Sequence, residues 1–199
     1  MTIYIYLGEK MVKKDIQVKF KIDNIKLVLD KLQALNYILI GGNFEIITRY
    51  DTEDDSLTNK GVFIRTKSGI NEVLTIKEKT SDSKNYKYLE RETSSIEVEN
   101  CDVIKHIFQK IGLTKLFTMK KYRLIFKKGK STVFVDELPF GMYCEINDSE
   151  SNIDKLLKIF SVNNFCNTTY WEIYENLTGI KNPQRILFDK NHVFMLTSM

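Results

Sequence analysis

The chain of 199 residues is 43% hydrophobic and 12% aromatic, with 30 basic and 26 acidic residues for a net charge of +4. That is apolar material for one sizeable core rather than two, so a single domain is expected, and the charge neither demands nor excludes nucleic acid. No run of 18 apolar residues offers a membrane span, and Lys10, Lys13 and Lys14 following Tyr4 and Tyr6 lack the charged-then-apolar order of a signal peptide. A soluble, cytoplasmic protein without a membrane partner is the expectation. Cys101, Cys144 and Cys166 are odd in number, scattered and in no C-x-x-C pair, so they read as buried free thiols.

In chain order, Ile3, Ile5 and Leu7 with the two tyrosines suggest an edge strand. Ile16, Val18, Phe20 and Ile22 alternate with polar residues and predict a strand. From 24 to 35 the apolar period becomes helical, behind the capping candidates Asp23 and Asn24. Alternating segments at 44–51, 62–67, 73–79 and 86–98 predict four further strands, separated by polar clusters at 54–60, 68–71 and 80–85. A second helix is expected over 102–110, ended by Gly112. Strands over 117–127, 132–137 and 142–147 bring the total to eight. Ile153, Leu156, Leu157 and Phe160 mark a third helix, and Thr169-Tyr170-Trp171-Glu172 has the form of a capping box opening a fourth, ended near Gly179. Residues 1–181 read as one domain, and 182–199 as a C-terminal tail with no assigned role.

The polar faces of these strands are unusual. Lys19 and Lys21, Arg65 and Lys67, Lys77 and Lys79, and Lys121 and Arg123 are each two residues apart and keep one parity. A solvated outer face is the ordinary explanation of such a pattern. The opposite parity, however, gives a continuous apolar side: Val18, Phe20, Ile64, Leu74, Ile76, Tyr122, Leu124, Val133 and Val135. Helices covering that side would leave the charged faces looking at each other across a lumen, where buried cations require an anion. Phosphate groups suit that role because their oxygens accept charge-assisted hydrogen bonds, two at once from a guanidinium. Asp136 and Glu145, with Asp15 and Glu92 as further candidates, would supply oxygen ligands for one or two Mg²⁺ or Mn²⁺ ions.

The ordered set of motifs over about residues 13–177 resembles the CYTH domains, or triphosphate tunnel metalloenzymes, which include class IV adenylate cyclases, thiamine triphosphatases and tripolyphosphatases. Asp15-Ile16-Gln17-Val18-Lys19-Phe20 stands where that family carries Glu-x-Glu-x-Lys. Thr48-Arg49-Tyr50-Asp51-Thr52 resembles its next strand and loop, Arg65 the second arginine of Leu-Arg-x-Arg, Leu74-Thr75-Ile76-Lys77 its Leu-Thr-x-Lys strand, and Arg91-Glu92 its Arg-x-Glu strand. Lys120-Lys121-Tyr122-Arg123, Val135-Asp136-Glu137-Leu138-Pro139-Phe140-Gly141 and Cys144-Glu145-Ile146 complete the order. The resemblance implies an α+β fold, an eight-stranded antiparallel β-barrel tunnel with helices packed outside. It further implies hydrolysis of a small-molecule triphosphate (tripolyphosphate, ATP or thiamine triphosphate) with Mg²⁺ or Mn²⁺, the alternatives being cyclisation of ATP to cyclic AMP and binding without turnover. Carried over by position, Lys19, Arg65, Lys77, Lys121 and Arg123 bind phosphate, with Arg91, Lys67 and Lys79 adding charge. Asp136, Glu145 and Glu92 are the catalytic candidates, and Glu145, Asp15, Gln17 and Asp136 the metal ligands.

The sequence departs from that pattern mainly on the acidic side. Asp15 and Gln17 replace two glutamates, and Asn147 replaces the second glutamate of Glu-Ile-Glu. Neutral amides bind Mg²⁺ or Mn²⁺ more weakly than carboxylates. Phe63 stands at the first arginine of Leu-Arg-x-Arg, and in one register Glu90 takes an arginine position, for which Arg91 would compensate only through a bulge or a one-residue shift. His106 and His192 have no partner at ligand spacing and read as surface residues. Gly41-Gly42 reads as a helix-to-strand connection rather than a phosphate loop, and Tyr170 and Trp171 as helix packing, with a nucleobase contact at a tunnel mouth as the alternative. No RNA- or DNA-binding motif appears, which argues against a nucleic-acid partner.

Overall fold

The computed structural model describes residues 13–79, 87–189 and 191–198. The edge strand expected around Ile3–Leu7 and the turn at 80–85 lie outside them. Eight antiparallel strands form the body: β1 (Lys13–Lys21), β2 (Ile38–Asp51), β3 (Val62–Ser68), β4 (Val73–Lys79), β5 (Leu89–Glu97), β6 (Lys115–Lys128), β7 (Ser131–Leu138) and β8 (Gly141–Asn147). Their spatial order is β2-β3-β4-β5-β1-β8-β7-β6, and β2 pairs back onto β6 from Ile38↔Lys127 to Asp51↔Lys115, which closes the ring. The helices are α1 (Ile25–Ala34), the single turn α2 (Ser56–Asn59), α3 (Cys101–Lys110), α4 (Glu150–Ile159) and α5 (Tyr170–Thr178).

Two elements differ from expectation. The polar cluster at 54–60 contains α2, because the buried Asp51 carboxylate accepts from the backbone N–H groups of Leu57 and Thr58 and so caps a turn. Strand β2 begins at Ile38 rather than 44, so Gly41 and Gly42 lie within it, at a bulge between Leu39 and Gly41. A Cβ on Gly42 would sit 2.6 Å from Leu124 Cδ2, so the glycine lets β2 approach β6 closely where the ring closes.

The apolar core lies outside the ring. Val18, Phe20, Val133, Val135, Cys144 and Ile146 point outward from β1, β7 and β8 and meet Val28 and Leu32 of α1 and Ile153, Leu156 and Leu157 of α4. Each such fully buried aliphatic side chain contributes about 1.5–3 kcal/mol. On the opposite arc, α3 brings Phe108 edge-on to Tyr50 at 5.0 Å. Asn24 and Asn100 cap α1 and α3 through their side-chain oxygens. Cys101 and Cys144 are buried as expected, whereas Cys166 is half-buried.

C-terminal segments extend the pairing of the ring at two places. Strand β1 pairs with β5 only from Lys13 to Gln17; beyond that, Lys19 exchanges backbone hydrogen bonds with Cys166. Strand β6 pairs with β7 only from Tyr122 onward, and Thr118 and Met119 pair in parallel with a ninth, two-residue strand, β9 (Arg185–Ile186). The tail is held further by Glu137, whose buried carboxylate accepts from the backbone N–H groups of Met195 and Leu196 and bonds His192 Nε2 at 2.9 Å. His192 thus has a carboxylate partner that its sequence neighbours do not supply. No helix among the described residues is long and apolar enough to cross a membrane.

Candidate functional site

With the apolar parity outside, the charged parity faces a lumen. Gln17 and Lys19 of β1, Glu45 and Arg49 of β2, Arg65 and Lys67 of β3, Lys77 of β4, Arg91 of β5, Lys121 and Arg123 of β6 and Glu145 of β8 line one cavity. After the Cys166 bridge to β1, the following chain brings Thr169, Tyr170 and Trp171 into the lining. There the predicted capping box forms between Thr169 and Glu172, and α5 starts with Tyr170 and Trp171 against the lumen.

One part of this lining is internally neutralised. Asp136 of β7 is fully buried, receives Arg123 through Nε and Nη2, both at 2.6 Å, has Lys121 Nζ at 3.3 Å and accepts from Tyr170 Oη at 2.7 Å. Glu45 meets Lys67 at 3.1 Å and Lys121 at 3.4 Å. Glu145 meets Arg123 at 3.4 Å and Lys19 at 3.6 Å, and Asp15 meets Lys77 at 2.6 Å. Burial pushes the Glu45 carboxyl up, but Lys121, Arg123 and Lys67 together outweigh it and hold the group at about 2. Glu145 is likewise held low against its burial by Lys19 and Arg123. Arg123 is pushed up despite burial, by Asp136 and Glu145.

The other part is bare. Arg49 and Arg65 are directly opposed on β2 and β3, and Arg91 enters from β5. None of the three forms an ion pair among the described residues, and the Nε of each is buried without a hydrogen-bond partner, as is Lys19 Nζ. Two of them rest on aromatic faces instead: Arg49 lies 4.0 Å from the Phe117 ring centroid and Arg91 4.2 Å from that of Phe63. Burial, with Arg65 and Arg49 nearby, lowers Arg91 to about 10 against the opposing pull of Glu172 and Asp15. Burial and Arg65 lower Lys77 to about 8 against Asp15. Four buried polar donors with no acceptor are costly to the folded chain, and a multivalent anion in the lumen would satisfy them.

Of the residues singled out from sequence, Lys19, Arg65, Lys67, Lys77, Arg91, Lys121, Arg123, Glu145, Gln17, Asp15 and Asp136 are thus brought together. Two are not. Glu92 is exposed on the outer face of β5, because Arg91 and Glu92 alternate and Arg91 opposes the inward Asp15. Strand β5 pairs with β1 without a bulge, so Arg91 needs no register shift to face inward, and Glu90 instead meets Lys14 outside at 2.8 Å. Lys79 keeps the inward parity but is the last residue of β4; it is exposed, and its stem packs against Gly61. Among the charged lumen residues, Glu45 and Arg49 are not among the expected site residues. Arg49 lies within the Thr48-Arg49-Tyr50-Asp51-Thr52 segment and pairs directly with Arg65, so strand parity identifies it. Tyr170, read as packing, also donates to Asp136.

The acidic residues do not fit a divalent-metal cage. Mg²⁺ requires several oxygens converging near 2 Å. Among the described residues no group of three His, Cys, Asp or Glu side chains is placed to hold a metal ion. Asp136, Glu145 and Glu45 do converge, but on the Arg123 guanidinium, at 2.6, 3.4 and 3.9 Å. Asn147 turns its amide N–H, not its oxygen, toward Asp15.

Comparison with known proteins agrees with this geometry. The family model described as "CYTH domain" matches residues 13–163. A protein of Methanocaldococcus jannaschii named "Putative adenylate cyclase" is 25% identical over 148 residues, covering 73% of this chain and 82% of the relative. A Vibrio parahaemolyticus structure, also titled a "putative adenylate cyclase", superposes with a TM-score of 0.66 at 18% identity, over 82% of this chain and 98% of that one. A Hippeastrum protein whose title reports a dominant triphosphatase activity superposes with a TM-score of 0.52 at 13% identity, over 85% of this chain and 98% of that one. With the family model spanning most of the chain and the strand ring formed, this protein belongs to the CYTH domain family.

Proposed function

We propose that the tunnel binds a triphosphate-bearing small molecule, with hydrolysis of the triphosphate as its reaction. The observation that carries this reading is the set of three guanidiniums, Arg49, Arg65 and Arg91, whose buried Nε atoms lack a hydrogen-bond partner and which form no ion pair among the described residues, in a lumen whose other charges are paired. Non-bridging phosphate oxygens satisfy such donors, and charge-assisted hydrogen bonds of this kind contribute about 1.5–3 kcal/mol each. Hydrolysis forms a bond from water oxygen to phosphorus and breaks a P–O–P bridge. These residues would hold the phosphates in line and stabilise the charge gathering on their oxygens. The site is also dry enough for such contacts to count, since Lys19, Lys121 and Asp136 are all nearly inaccessible to solvent.

Trp171 favours an organic triphosphate over an inorganic one. Its indole N–H is buried without a partner, and its ring lines the lumen beside Phe63 and Arg49. A planar organic group would find both a stacking face and a donor there. Cyclisation of ATP, in which the ribose hydroxyl replaces water and pyrophosphate leaves, is the second reading, supported by the names carried by the relatives.

The test is to incubate the protein with tripolyphosphate, ATP and thiamine triphosphate in Mg²⁺ or Mn²⁺, following phosphate, pyrophosphate and cyclic AMP. Phosphate release supports hydrolysis, and cyclic AMP with pyrophosphate supports cyclisation. Binding without either product leaves the tunnel as a receptor and removes the enzymatic reading.

A further inference from the structure

Resting on the reading that the lumen holds a triphosphate, we propose that this chain binds it without a divalent cation. Its carboxylates serve as internal counter-ions of the lysines and arginines rather than as metal ligands.

Three observations carry the inference. The first is occupancy: the point toward which Asp136, Glu145 and Glu45 turn is filled by the Arg123 guanidinium, held by two 2.6 Å hydrogen bonds from Asp136. A dication entering there would have to displace Arg123 and then lie beside Lys19 and Lys121, both buried cations. The second is the donor set. Gln17 and Asn147 contribute no charge, and the Asn147 amide faces Asp15 as a hydrogen-bond donor, satisfying a carboxylate that a metal would otherwise claim.

The third is charge balance. Among the described residues, eight cations line the lumen (Lys19, Arg49, Arg65, Lys67, Lys77, Arg91, Lys121 and Arg123) and four carboxylates, Asp15, Glu45, Asp136 and Glu145, pair with them, a surplus of four positive charges. A triphosphate free of metal carries about four negative charges once its terminal phosphate has lost its last proton near pH 6. The same anion carrying one Mg²⁺ offers about two, which leaves buried positive charge uncompensated. The bare anion is therefore the better complement.

Isothermal titration of the full chain with inorganic tripolyphosphate, once in EDTA and once in excess Mg²⁺, tests this. Saturable binding in EDTA, at least as tight as in Mg²⁺, is the expected result. Binding seen only with Mg²⁺ or Mn²⁺ would overturn the metal-free inference while keeping the triphosphate reading; no binding in either buffer would overturn both. A Glu145→Gln variant, checked for folding by circular dichroism, gives a second readout. Losing an internal competitor for Lys19 and Arg123 should tighten tripolyphosphate in EDTA by about threefold or more. A loss of affinity confined to the Mg²⁺ buffer would mark Glu145 as a metal ligand and sink the inference. Electron paramagnetic resonance of Mn²⁺ with the anion-free protein should show the free-ion signal undiminished; a stoichiometric loss of that signal contradicts the proposal.

Discussion

The two walls of the tunnel resolve the same electrostatic difficulty in opposite ways. On β6, β7 and β8, each buried cation is matched within the chain: Asp136 takes Arg123 and Lys121, and Glu145 lies between Lys19 and Arg123. On β2, β3 and β5, the guanidiniums of Arg49, Arg65 and Arg91 have no carboxylate in ion-pair contact among the described residues, and Arg49 and Arg91 lie on aromatic rings instead. The paired wall is therefore part of what holds the ring together, and the bare wall is a standing cost that a ligand relieves. Removing a charge from the first should damage the fold; removing one from the second should damage binding and leave the fold intact.

The largest effect expected is on the paired wall. Asp136→Ala strands Arg123, Lys121 and the Tyr170 hydroxyl, and should cost about 3–5 kcal/mol in urea unfolding. Loss below 1 kcal/mol would show that the network is not structural. Acid should attack the same ion-pair network, which Glu45 joins from β2 through Lys121. Glu45 sits at about 2 against an ordinary 4.5, so its contribution is complete above 4.5 and lost as pH falls toward 2. That contribution is on the order of 3 kcal/mol at most, and Glu145, held low as well, adds in the same direction. Stability measured between pH 6 and 2 should therefore drop over that window, and a flat profile would contradict the pairing.

The bare wall gives the converse. Arg65→Ala with Arg91→Ala should weaken tripolyphosphate binding about a hundredfold or more by calorimetry, while the melting temperature of the ligand-free protein stays the same or rises. A fall in both would erase the distinction between the walls. Lys77 sharpens it further. With its ammonium lowered to about 8 by burial and Arg65, affinity for the anion should fall as pH rises from 7 to 9, by about tenfold, and Lys77→Met should flatten that slope. In the absence of ligand the sign reverses: the folded chain releases this proton earlier than the unfolded one, so stability rises from about pH 8 toward 10.5. The smallest effects belong to residues outside the lumen. Glu92→Ala and Lys79→Ala should each change affinity by less than about twofold.

Much of this was legible in the chain because alternation leaves few options. Once Val18 and Phe20 are buried against helices, Lys19 has to face the other way, and the same rule orients Arg65 and Lys121. It misled at β5, where Arg91 and Glu92 were both enlisted although adjacent residues cannot share a face. It was silent at Glu45, which no neighbour in sequence marks as special and which matters only because β2 closes onto β6 and sets it opposite Lys121. The capping box at Thr169 was readable locally, but that α5 would sit at the lumen depends on the Cys166 bridge to β1, a contact across 147 residues.

By itself, then, the sequence determined the eight ring strands in outline, the four longer helices, and which side of most strands carries charge, since these follow from periods of two and 3.6 residues along the chain. Only the tertiary structure decided which charges are matched. An ion pair depends on which strands become neighbours and in what register, and those are properties of the closed ring rather than of any segment. Closure put Asp136 onto Arg123, left Arg49, Arg65 and Arg91 unmatched among the described residues, and brought the C-terminal tail back to pair with β6 at Thr118 and Met119.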